Sequence, residues 1–108
     1  MKDEICTALG ENVKKYRKLR GLTQEKLAEA LGMEIKSLSL IETGNNFVSS
    51  KTLLKLTNIL KVSPSDLIAY PDSNNSEQMY KDAVKALEII KNNPAKLKIF
   101  NSLLSGLL

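Results

Sequence analysis

TQEKLAEALGMEIKSLSLIET, residues 23–43, is the stretch whose reading decides the fold. Thr23 is a good N-cap, able to accept from the free N–H groups of a first helical turn. Leu27, Ala28 and Leu31 then fall on one helical face. Gly32 supplies the positive φ that a helix C-cap needs. A second helix starts near Glu34 and carries Leu38 and Ile41, three residues apart, on its inward side. Ala28 is small where the two helices cross, and a bulkier side chain would hold them apart. An ordinary αα-hairpin explains the leucines. The joint placing of Ala28, Gly32 and Ile41 points further, to a DNA-binding helix-turn-helix.

The flanking segments extend this pattern. From Leu9 to about Leu67 the chain resembles the XRE family, the Cro and phage-repressor type of helix-turn-helix. The resemblance is carried by LGENVKKYRKLRGLTQEKLAEALG (9–32), SLIETGNN (39–46) and TLLKLTNILKVSPSDL (52–67). It implies an all-α, five-helix domain that binds operator double-stranded DNA, usually as a two-fold homodimer. Composition and periodicity alone imply only a small helical bundle.

Carried over residue by residue, the resemblance implies that Ile35, Lys36, Ser39 and Leu40, with Ser37 near the edge, are base-reading positions. Polar or basic residues usually stand where this chain has Ile35 and Leu40. An apolar side chain can still read the thymine methyl, and Lys36 can donate to guanine O6 or N7. Gln24 matches a glutamine that contacts a phosphate beside a helix N-terminus; an exposed helix former is the alternative. Thr43, Asn45 and Asn46 are expected at the DNA backbone, with a smaller electrostatic contribution than the Lys or Arg common in this loop. Lys51 is a further backbone candidate or a solvated charge. Arg17 and Glu42 are implied to form a structural ion pair. Phe47 is expected to pack under its loop.

The bulk numbers bound the alternatives. With no His, one Cys and no glycine-rich phosphate loop, 108 residues offer no zinc site and no Ser-His or Cys-His pair, so an enzyme is not expected, nor a cofactor. A lone Cys6 reads as a small buried apolar residue. No apolar run is long enough to span a bilayer, and Asp3 and Glu4 interrupt MKDEICTALG as a signal peptide, so the expectation is a cytoplasmic protein. The net charge of +4 suits a polyanion. Its distribution is less accommodating. Residues 1–22 are net +3, but residues 23–44 hold Lys26 and Lys36 against Glu25, Glu29, Glu34 and Glu42, net −2. An acidic motif with apolar readout positions also describes the alternative, a protein-interaction module of the same fold, antitoxin-like or anti-repressor-like.

The remaining periodicity predicts a first helix over Met1–Arg20 with Leu9, Val13 and Tyr16 inward, and a fourth helix capped by Ser49 or Ser50. That fourth helix is apolar over most of its circumference: Leu53, Leu54, Leu56, Thr57, Ile59 and Leu60. A short fifth helix opens at Ser63–Pro64–Ser65–Asp66. The domain is read as residues 1–70, followed by a polar linker over 71–76. A two-helix C-terminal hairpin over 77–108 is the expected dimerisation element. Its first helix carries the stripe Tyr80, Ala83, Val84, Leu87 and Ile90. Its second, started by Asn93–Pro94, carries Leu97, Phe100, Leu103, Leu104, Leu107 and Leu108, which burial favours covering. Packing back on the same chain is the alternative, and a membrane surface is disfavoured by so few lysines. No small-molecule pocket is expected.

Overall fold

A computed structural model describes residues 3–70 and 76–108. It is all helical. In chain order the helices are α1 (Glu4–Leu19), α2 (Gln24–Leu31), α3 (Ile35–Glu42), α4 (Ser50–Leu60), α5 (Pro64–Ile68), α6 (Ser76–Ile90) and α7 (Pro94–Leu107). They fall into two compact units, Met1–Pro71 and Asp72–Leu108.

In the first unit, α1 begins at Glu4 because Asp3 caps it, its carboxylate accepting the Cys6 N–H at 2.8 Å. Those hydrogen bonds hold the Asp3 carboxyl below its usual range, so the cap is complete at neutral pH and is lost as the pH falls through that lowered value. Burial pushes the Cys6 thiol up, which leaves it protonated and unreactive. Leu9, Val13 and Tyr16 form the buried stripe, and Lys14, Lys15 and Lys18 stay in solvent. With Leu27, Leu38, Leu56, Leu60 and Leu67 they make a core without a large aromatic centre.

Two polar side chains of α1 hold other helices by their free carbonyls. Asn12 Nδ2 donates to the carbonyls of Leu67 (2.9 Å) and Ala69 (2.8 Å) at the end of α5. Arg20 Nε donates to the carbonyl of Leu60 (2.9 Å) at the end of α4. Each satisfies orphan acceptors that a helix terminus otherwise leaves to water. Ser63 and Asp66 close a capping box around Pro64 at the start of α5.

Three expectations are corrected. The fourth helix, whose apolar circumference predicts a core helix covered on several sides, buries Leu56, Thr57 and Leu60, but Leu54 is 62% exposed. Phe47 is 44% exposed rather than tucked under its loop. Ser76 already belongs to α6, and the rest of the expected linker lies outside the described residues.

The second unit pairs α6 with α7 around a turn capped by Asn93, whose side chain accepts the Lys96 N–H at 3.1 Å, with Pro94 at the first helical position. Burial is concentrated beside that turn. Ile90 is buried and Leu87, Ile89, Leu97 and Phe100 are half-buried, while Tyr80, Val84, Leu103 and Leu107 are exposed.

Two backbone positions make opposite predictions for stability. A Cβ on Gly10 would strike the backbone carbonyl of Ile41, with Glu42 O at 2.7 Å and Glu42 C at 2.9 Å, none of which can swing away. Gly10→Ala should therefore cost about 1–3 kcal/mol in urea unfolding, although alanine is the better helix former. Lys61 caps α4 in the left-handed conformation at φ 57°. Lys61→Gly should raise stability by up to about 1 kcal/mol.

Candidate nucleic-acid interface

The turn between α2 and α3 is set locally. Thr23 Oγ1 accepts the Lys26 N–H at 3.0 Å to start α2. Gly32 ends it at φ 72°, ψ 33°, with its own N–H and that of Met33 returned to the carbonyls of Glu29 (3.1 Å) and Ala28 (3.0 Å). Ala28, Leu31, Leu38 and Ile41 are buried where the two helices meet. What α3 leaves outside is Ile35, 47% exposed, with Lys36 and Ser37; Ser39 and Leu40 are half-buried. Ser37 is exposed and, two residues on from Ile35, lies toward the edge of that face. The Leu40 carbonyl accepts the Asn45 and Asn46 N–H groups of the following loop at 2.9 and 3.2 Å.

The orientation of α3 comes from α1. Arg17 Nε and Nη2 donate to the two carboxylate oxygens of Glu42 at 2.7 and 3.1 Å, a bidentate pair whose side chains are 10% and 2% exposed. Arg17 Nη1 donates to the Leu22 carbonyl at 2.9 Å. Gln24 Nε2 donates to the same Glu42 at 3.0 Å. The first residue of α2 is thereby tied to the last of α3, and one amide N–H and the carbonyl of Gln24 are left for another partner. In the loop, Thr43 Oγ1 donates to the Ser39 carbonyl at 2.9 Å and accepts Asn45 Nδ2 at 2.8 Å. Its donors are therefore used inside the protein, whereas Asn45 keeps one amide N–H and Asn46 is exposed. Lys51 is exposed in the first turn of α4.

The ion pair changes the electrostatic reading of this segment. With Glu42 compensated by Arg17, the exposed charges are Lys26 and Lys36 against Glu25, Glu29 and Glu34. Glu34 is the N-cap residue of α3, exposed and without a side-chain cap bond.

Sequence reasoning missed Gly10, Asn12 and the Gln24–Glu42 bond. Gly10 lies beside Leu9 on the inward face of α1, the one signal that it faced another helix. Asn12 and Gln24 act on groups 55 and 18 residues away, which local patterning does not register.

A family model described as "Helix-turn-helix domain" matches residues 10–73. The chain is 36% identical over 58 residues to the uncharacterized HTH-type transcriptional regulator YazB of Bacillus subtilis, covering 54% of this chain and 84% of that protein. It is 32% identical over 89 residues to the antitoxin PezA of Streptococcus pneumoniae, covering 82% of this chain but only 56% of PezA. Among solved structures, the restriction-modification controller protein C.AhdI of Aeromonas hydrophila matches with a TM-score of 0.54 and 31% identity, over 57% of this chain and 94% of that one.

Arg17→Ala should lower stability by about 3–5 kcal/mol, because Glu42 is left buried without its partner. The double variant Arg17→Met with Glu42→Leu should recover most of that loss in the same chemical-denaturation measurement. A double variant as unstable as the single one would mean that the packing of Arg17, and not its charge, is what matters.

Proposed function

The chain belongs to the XRE-type helix-turn-helix family of transcriptional regulators, a non-enzymatic family, and from that premise we propose that it reads a palindromic DNA operator as a homodimer and acts as a repressor. The observation that carries the reading is the exposure of Ile35, Lys36 and Ser37 on α3, a helix tied to α1 at its last residue by Arg17–Glu42. Two such helices about 34 Å apart would enter successive major grooves. Lys36 would donate to guanine, Ile35 and Leu40 would pack on thymine methyls, and Ser37 and Ser39 would bond base or phosphate. Gln24, Asn45, Asn46 and Lys51, with Thr43 holding the Asn45 amide, would set the register on the backbone. A repressor needs only to occupy the site against polymerase, and no effector pocket is required. No described helix is long and apolar enough to cross a membrane, which supports a cytoplasmic setting.

The similarity to an antitoxin covers 82% of the chain and so runs beyond the residues of the family model. It favours a second reading, in which the chain also binds a protein partner and α3 reads DNA weakly.

Selection of bound sites from a random duplex library separates the two. Operator reading predicts an enriched inverted repeat. Lys51 is the one cation among the proposed phosphate contacts, so a dimer should show a log affinity versus log salt slope of roughly −2. Lys36→Ala should cost about 1–3 kcal/mol at one base pair and relax preference there. No enriched site, with no salt dependence, would favour the partner binder.

A further inference from the structure

The hairpin formed by α6 and α7 is closed at its turn and open at the other end. Two stripes of side chains stand outside it. On α6, Glu77, Tyr80, Val84 and Glu88 recur at steps of three and four and are all exposed. On α7, Lys96, Ile99, Leu103 and Leu107 follow the same steps; Ile99, Leu103 and Leu107 are 62%, 68% and 82% exposed, and Lys96 is half-buried. Residues so spaced share one helical face. Each stripe rises eleven residues, about 16 Å. They therefore match in length. They also match in charge: the α6 stripe is apolar between two glutamates, and the α7 stripe is apolar behind one lysine.

We propose that these two stripes are partners across a dimer. The α7 stripe of one copy lies on the α6 stripe of a second copy, and two-fold symmetry repeats the contact. Four helices then enclose the apolar side chains that the hairpin alone leaves in water. Whether the facing helices run parallel or antiparallel, Lys96 meets a glutamate of the other copy, Glu77 in the first case and Glu88 in the second. Within their own helix Glu77 pairs with Lys81 at 3.5 Å and Glu88 with Lys91 at 2.6 Å. Such exposed pairs are weak and yield readily to a new contact, and the half-buried Lys96 would likewise exchange an interaction within its own chain for the new one. Leu97 and Phe100, half-buried beside the turn, serve the hairpin itself, which moves the dimer contact away from them. The inference rests on the homodimer reading above and adds the faces that meet.

The test is the mass of the full chain by light scattering, combined with a charge exchange. Wild type should give twice the 12.0 kDa protomer mass. Leu103→Glu should give the single mass. Lys96→Glu should weaken self-association roughly tenfold, and so should Glu77→Lys with Glu88→Lys. Mixing these two variants should restore the dimer, since both symmetry-related contacts then again join opposite charges. The charge variants alter only surface side chains, and unchanged far-ultraviolet helicity verifies that they fold. A wild-type chain of single mass overturns the homodimer reading and this interface together. A dimeric wild type that remains dimeric in Leu103→Glu, or variants that fail to restore one another, overturns the interface alone.

Discussion

The position of α3 is fixed from behind, by α1. At one place the two backbones come so near that Gly10 leaves no room for a methyl group against the carbonyls of Ile41 and Glu42. Two turns further along α1, Arg17 reaches the Glu42 carboxylate with two parallel hydrogen bonds. Steric contact sets the separation of the helices and the guanidinium fork sets their rotation, because a bidentate pair tolerates little angular freedom. A buried ion pair contributes little net stability relative to an apolar pair of equal volume. Its value here is orientation. Gln24 adds a third donor to the same carboxylate, so the ends of α2 and α3 that would face a duplex are bound to one point.

That arrangement also accounts for the unfavourable charge of the motif. Four carboxylates in 22 residues look unsuited to a polyanion, but the most buried of them is neutralised inside the protein. The remainder is a near-balanced surface on which apolar and hydroxyl groups outnumber cations. On the proposed reading, such a surface gains less from counterion release than a basic one, and more of its discrimination would come from fit against base edges.

The first unit was largely legible in the sequence because its signals are local. Thr23, Gly32, Ser63, Pro64 and Asp66 each act within one turn, and the periodicity of Leu9, Val13 and Tyr16 names the inward face without knowledge of what it meets. The failures have a common cause. Leu54 and Phe47 are apolar residues whose burial depends on whether another element reaches them, and both stand exposed. Asn12 bonds carbonyls more than 50 residues distant. Ser37 and Leu40, three residues apart, share a helical face, yet Ser37 is exposed and Leu40 half-buried, a difference that helical spacing cannot express.

The two units differ in how far they are complete. The first buries Leu9, Leu27, Leu38, Leu56, Leu60 and Leu67 in a core shared by five helices. The second buries Ile90 alone among its described residues, while α7 has no buried residue at all. Ordering each backbone residue costs about 1–2 kcal/mol, and a pair of helices with so little covered surface recovers little of it, because burial yields only about 1.5–3 kcal/mol per large side chain. The hairpin therefore depends on a covering surface in a way that the first unit does not. On the proposed reading, its folding and its association are one event, and each protomer holds only one recognition helix. Operator occupancy would then rise with the square of protomer concentration at low levels. That gives a regulator with few cationic contacts a sharp threshold without any effector site.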